Sequence, residues 1–326
     1  AQYQIGDQFY HVYSPIAYDK TLRWESTATT NIGLDYGFWG GRIYGAIDAY
    51  HKKTKDLLAT TEISVGTNYS NQLLTNVGNM ENRGIEGSIN IQAVKSENFN
   101  WDLGFNMTVN ESKVTNLTLN DNPGYQLAAG WITGGTGNVI QYHTVGLAPF
   151  QYYVYKQVYD QQGNPLEGVY EDLNGDGAVT PADRYYYQKP APDYFMGFTT
   201  SINYKRLTLN TVLRASFGNY VYDNISSNFG VARNILNPSG FINNATTDIY
   251  NTNFNNNQYS SDYYINNASF LRMDNLGLVY NVGNLDKEGT VTMMINANVQ
   301  NVFTVSKYKG IDPELFNGID YTLYPR

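Results

Sequence analysis

The sequence contains no cysteine, which excludes a disulfide framework and any chemistry that needs a thiolate. Charge is scarce: 15% of the 326 residues are Asp, Glu, Lys or Arg, and the balance is acidic, a net −8. Nucleic-acid binding needs a basic face to meet phosphates, so that role is excluded. The histidines are His11, His51 and His143 alone, at spacings that match no metal-binding helix. Nucleophile-elbow and His-Glu metal-helix motifs are also missing, and nothing in the sequence fixes two carboxylates at working distance, so the chain is read as not an enzyme. Long apolar runs are missing too, none approaching the roughly 20 residues that a membrane helix takes. If a membrane is crossed, strands must cross it as part of a closed barrel, because lipid offers no water to a free strand edge. The chain starts at Ala1 without a signal peptide, so a mature form or a fragment is expected.

What the chain does have is 30 Tyr, 14 Phe and 4 Trp, a composition that favours β-structure over disorder or coiled coil. Alternation confirms the preference. In NIGLDYGF, Ile32, Leu34, Tyr36 and Phe38 share one face and Asn31, Gly33, Asp35 and Gly37 the other, a period of two. After Trp39-Gly40-Gly41, a hairpin signal, Ile43, Gly45, Ile47 and Ala49 alternate against Tyr44, Ala46, Asp48 and Tyr50. GIEGSINIQA and WDLGFNMTVN repeat the pattern, as do the pair 194–204 and 207–217 and the pair 269–282 and 290–303. Eight strands in four hairpins are therefore expected.

Within each hairpin the turn is short. Between hairpins the links are long, about 25 residues after Asp56, about 75 after Val114 and about 50 after Tyr220, well past usual loop lengths. Short turns on one side and long loops on the other is the layout of an outer-membrane barrel with its long loops outside the cell. An even set of strands then has both ends on the outer side, as if taken from something larger. The fold expected is an all-β segment of about eight strands from a large antiparallel transmembrane β-barrel, with long extracellular loops at 115–191 and 221–267. Polar positions such as Asp48, Glu86, Asn90, Asn106, Asn296 and Asn298 would line the lumen and the apolar faces would meet outer-membrane lipid. A soluble β-sandwich or propeller also alternates, but scarce charge on the apolar faces and aromatics at strand ends favour the barrel.

EDLNGDGAVTPADR, 171–184, matches the EF-hand type of calcium loop: Asp172, Asn174 and Asp176 at the first, third and fifth positions, Gly177 at the turn, the Ala178 carbonyl, Thr180 at the ninth position and Asp183 at the last. Carboxylates at alternate positions converge on one hard cation. Asp183 stands where a sensor has Glu, and no amphipathic helices flank the loop, so the expectation is a structural Ca²⁺ that stiffens an outer loop. The region 221–267, with NTNFNNNQYSSDYYINN, is dense in Asn and Tyr. Aromatic faces stack on sugars or peptide side chains and amides bond hydroxyls, so it is a candidate contact surface in which no single substrate residue can be named.

Five segments in order resemble the C-terminal third of SusC/RagA-type TonB-dependent transporters of Bacteroidetes. They are LRWESTATTNIGLDYGFWGGRIYGAIDAYHKKTKDLL, NVGNMENRGIEGSIN, EDLNGDGAVTPADR, SFLRMDNLGLVYNV and NVQNVFTVSKYKGIDPEL. The resemblance implies a plugged barrel of about 22 strands when complete, with one closing strand after Tyr324-Pro325-Arg326, and with the plug and the TonB-contacting segment lying outside this chain. It also implies nutrient import, of glycan or oligopeptide, together with a SusD-like surface lipoprotein and with energy from TonB. A stand-alone eight-stranded barrel acting as adhesin or anchor, and a soluble carbohydrate-acting enzyme, are the alternatives.

Overall fold

A chain whose side chains alternate in polarity can present one apolar face only if it is extended, because successive side chains of a strand point to opposite sides. The computed structural model, which describes residues 2–11, 17–64, 66, 70–119, 122, 124–135, 137–235 and 244–321, contains one sheet of eight such strands. They are β1 (Ser26–Phe38), β2 (Ile43–Glu62), β3 (Gln72–Lys95), β4 (Phe99–Asn116), β5 (Tyr194–Tyr204), β6 (Leu207–Phe217), β7 (Phe270–Asn284) and β8 (Thr292–Ser306). Each pairs antiparallel with the next in sequence. The last residues, 322–326, lie outside the described residues.

Register carries the apolar face unbroken across the sheet. Leu34 stands opposite Ile47, Ile89 opposite Phe105, Phe105 opposite Phe198, Phe198 opposite Leu213, and Leu278 opposite both Leu209 and Ala297. This face is not a core. Ile32, Leu34 and Ile85 are 76%, 64% and 58% exposed, whereas a water-soluble sandwich would bury them. The opposite face carries the paired Asp48 and Glu86 and the paired Ser88 and Asn106. Asn90, Asn296 and Asn298 share its parity.

A tyrosine stitches strands together across a glycine. On the apolar face the Tyr36 hydroxyl crosses β2 to donate to the Ser88 carbonyl at 2.8 Å. Only Gly45 leaves room for it, since a Cβ there would fall 1.9 Å from that carbonyl oxygen and 2.6 Å from the Tyr36 hydroxyl.

The turns at 39–42, 96–98, 205–206 and 285–291 are short, as expected. The 25-residue loop expected after Asp56 is not one: β2 continues to Glu62 and β3 begins at Gln72, leaving only 63–71 as a connection. Asp56, at φ 64°, is the reason. It makes a bulge, with a register shift between Thr54 and Leu57, and an inserted residue breaks the alternation by which a strand is recognised. Among the described residues β1 and β8 pair on one side only. The sheet therefore stays open, where a stand-alone eight-stranded barrel would need a β8–β1 ladder to close it.

The other excursions, 117–193 and 218–269, and the segment after β8 fold into one layer at the long-connection end. Ile140, Tyr152 and Val154 of the first, Tyr222, Tyr264 and Ile265 of the second and Ile319 of the third form a single buried cluster. Full burial makes each tyrosine hydroxyl seek a partner. Tyr152 donates to the carbonyls of Tyr220 at 3.0 Å and Gly318 at 2.6 Å, and Tyr222 donates to that of Tyr259 at 2.7 Å.

A charge at mid-depth on the apolar face has no aqueous partner in a bilayer. Phe105→Arg in the intact barrel should therefore cost about 2–4 kcal/mol in refolding into detergent or lipid, while Glu86→Arg on the polar face should leave the denaturant midpoint nearly unchanged. Equal effects of the two would overturn the assignment of faces.

Candidate functional site

The polar face and the loop layer meet at the upper ends of β6 and β7. Arg214 and Arg272 stand directly opposite each other in the ladder, a like-charge pair that is unfavourable alone. Three carboxylates reverse this. Arg214 Nε donates to Asp274 at 2.7 Å, its Nη1 donates to Glu314, and Arg272 donates to Asp312 at 2.7 Å and to Glu314 at 3.1 Å. The Arg272 side chain is only 13% exposed, so these charge-assisted bonds are less screened than a surface pair. Both guanidinium groups also lie over the Phe270 ring, at 5.9 and 5.2 Å.

The arginine pair thus fastens the segment 312–316 onto the wall. Phe316, 98% exposed, is carried beside a cavity of about 530 Å³ lined by Asn106, Phe195, Arg214, Asn219, Glu314 and Phe316, among others. Asn219 is 6% exposed and donates to the carbonyls of Ala268 and Pro313, and its Oδ1 has no partner among the described residues. An aromatic face, a charged rim and an open amide oxygen together can stack a ring and bond a hydroxyl or an N–H.

The turn at 172–183 is built by its own side chains. Asp172 accepts the N–H groups of Gly175 at 2.7 Å and Gly177 at 2.8 Å, Asn174 accepts that of Asp176 at 2.8 Å, and Asp176 accepts that of Ala178 at 2.9 Å. Asp183 is fully buried and closes the loop, accepting from Leu173, Asn174 and Thr180. The Thr180 amide first, then those of Asn174 and Leu173, hold its carboxyl below the usual carboxylate range. Asn174 and Asp176 are exposed and Asp172 is half-buried, and all three keep lone pairs for a hard cation. Among the described residues no three His, Cys, Asp or Glu are gathered as a metal group, so any cation here would draw on the amide, hydroxyl and carbonyl oxygens of Asn174, Thr180 and Ala178 as well.

Part of the Asn- and Tyr-rich stretch is structural where it is described. Its residues 236–243 lie outside the described residues. Tyr222, Tyr264, Phe254 and Asn224 are buried. The Asn224 amide accepts from Thr133 N at 2.8 Å and donates to Thr133 O at 2.9 Å, clamping one excursion to another. Tyr250, 83% exposed, and Asn251, Asn253, Asn255 and Asn256 lie at the surface. His143 packs edge-on against Phe150 with ring centroids 4.6 Å apart, its Nδ1 accepts the Phe150 N–H at 3.3 Å, and burial pushes its pKa down.

A family model described as TonB dependent receptor-like, beta-barrel matches residues 3–210. The chain belongs to that family. It is 44% identical over 332 residues to the TonB-dependent receptor SusC of Bacteroides thetaiotaomicron, an alignment covering 100% of this chain and 33% of that protein. It is 29% identical to the TonB-dependent receptor P3 of Formosa agariphila, over 98% of this chain and 35% of that one. The structure of the RagAB peptide transporter superposes with a TM-score of 0.75 at 22% identity, over 100% of this chain and 37% of that one, a likeness of fold. The chain spans about a third of the length of these relatives.

For a TonB-dependent receptor wall, the features that sequence patterning missed are the Arg214–Arg272 pair with its carboxylates and the exposed Phe316. Two arginines on the polar faces of neighbouring strands were the available signal.

In the 172–183 turn, Gly177 sits at φ 87° with open space where a Cβ would go, so Gly177→Ala should cost about 1–2 kcal/mol through the backbone alone. Asp183 has a folded pKa below its unfolded value, so its stabilisation is present above the ordinary carboxylate range and is lost as pH falls through the folded value. Lower amide protection factors, corrected for intrinsic exchange, at Leu173, Asn174 and Thr180 on acidification, reproduced at neutral pH by Asp183→Asn, are the expected result.

Proposed function

We propose that this chain is barrel wall and outer loops of a TonB-dependent outer-membrane importer, taking up a nutrient too large for ordinary porins, a glycan or an oligopeptide. The observation that carries the reading is the two-faced wall, exposed and apolar on one side, polar on the other, in register through all eight strands. The likeness to SusC and to RagAB supports it, and with it a SusD-like surface lipoprotein as partner over the loop layer. The rest of the barrel with its plug, and TonB as energy source, belong to the same reading, and no catalytic step falls to this chain. Cargo would be met at the rim cavity, where Phe316 supplies an aromatic face and Arg214, Glu314 and Asn219 supply polar contacts. The 172–183 turn would hold a structural Ca²⁺ through Asp172, Asn174, Asp176, Ala178, Thr180 and Asp183, lending rigidity and no chemistry.

Native mass spectrometry of the intact complex purified from outer membranes is the direct test. A co-isolated lipoprotein together with glycan or peptide masses is expected, and recovery from the soluble fraction as a lone monomer would refute the reading. Phe316→Ala should weaken that cargo by about 1 kcal/mol, roughly fivefold, with the barrel's melting unchanged. Anomalous scattering should place calcium among the 172–183 oxygens, and a fully ordered turn holding only water there would end that part.

A further inference from the structure

A second cavity, of about 460 Å³, lies within the loop layer, lined by Asp223, Thr246, Asp248, Tyr264 and the exposed Lys307 and Lys309, among others. Three buried polar atoms of this lining have no hydrogen-bond partner among the described residues: Thr246 Oγ1, Asp248 Oδ2 and the Tyr264 hydroxyl. Tyr264 is 1% exposed. A buried polar atom left unpaired is costly, and three on one cavity point to a ligand that supplies their partners.

The rest of each side chain is already held. Asp248 Oδ1 accepts the Tyr263 hydroxyl at 2.9 Å and the Asn251 amide at 3.1 Å, which leaves its other oxygen open on a fixed arm. Asp223 is held by Ser226, through the backbone N–H at 2.8 Å and the hydroxyl at 2.7 Å. Asp320, 1% exposed, accepts the Tyr308 hydroxyl at 2.9 Å. Burial above all, and then Asp320 and Asp248, raise the Asp223 carboxyl, so negative charge is crowded behind this lining.

All three open atoms can accept: a carboxylate oxygen only accepts, and a hydroxyl can do either. A protonated primary amine offers three N–H donors and one positive charge. A bare metal ion fits less well, because no three His, Cys, Asp or Glu are gathered among the described residues and the cavity has room for a small organic molecule. We propose that this cavity binds the ammonium group of a small ligand, such as the amino end of a short peptide, with Asp248 Oδ2, Thr246 Oγ1 and the Tyr264 hydroxyl as its acceptors. Lys307 and Lys309 then stand where an anionic group on the same ligand would be drawn. Treating this ligand as cargo rests on the import reading, whereas its binding does not.

Isothermal titration of the intact complex with triglycine, with N-acetyl-triglycine and with CaCl2 or MgCl2 alone tests this. Triglycine should bind and N-acetylation should weaken it at least tenfold. Tyr264→Phe and Thr246→Val should each weaken it several-fold with no fall in Tm, because each removes an unpaired group and keeps the shape; Asp248→Asn should weaken it most. Equal binding of the acetylated peptide, unchanged affinity in Tyr264→Phe, no triglycine binding, or divalent-cation heat that Asp248→Asn abolishes would each overturn the proposal. Loss of nutrient uptake with triglycine binding intact would count against import and leave this site standing.

Discussion

Hydrogen-bonding of the backbone is the constraint on which this structure depends. In hydrocarbon no water satisfies an N–H or C=O, so a crossing chain that is not helical must pair every strand with a neighbour. Here each wall strand finds its partner in the next stretch of sequence. The pleat then decides chemistry, since a ladder in fixed register sends all even positions of a strand one way and all odd positions the other. That is how Ile47 comes to stand between Leu34 and Gly87 while Asp48 stands between Gly33 and Glu86. Among the described residues the outer strands β1 and β8 each keep one ladder side unpaired, in a chain that spans about a third of the length of its relatives.

The loop layer obeys water instead of lipid, and it is organised by tyrosine. A phenol ring brings apolar area to a core and a hydroxyl that can reach a distant carbonyl. Tyr152, Tyr222 and Tyr264 fill the centre of the layer; Tyr152 bonds backbone of the two other excursions and Tyr222 bonds backbone within its own. The third, Tyr264, is left unpaired, with Thr246 Oγ1 and Asp248 Oδ2 unpaired on the same cavity.

The wall was legible because its signal is local: Ile43 to Ala49 or Trp101 to Val109 declare a strand and its two faces within ten residues. The 172–183 turn was legible for the same reason, its carboxylates and amides closing on neighbours a few positions away. Asp56 shows the limit, since one bulged residue hid the ends of two strands. The Arg214–Arg272 cluster and the tyrosine core were hidden for another reason. Their partners come from different excursions, and only the sheet order brings them together. For the same reason the Asn- and Tyr-rich stretch looked like contact surface, although Tyr222, Phe254 and Asn224 serve the interior.

One phenol has a mechanical consequence. The Tyr152 hydroxyl bonds both Tyr220 O and Gly318 O, and the neighbouring Gln141 amide bonds Asn317 O at 2.7 Å, so the three excursions are tied at one knot. An outward swing of one excursion therefore has to break hydrogen bonds that tie it to another.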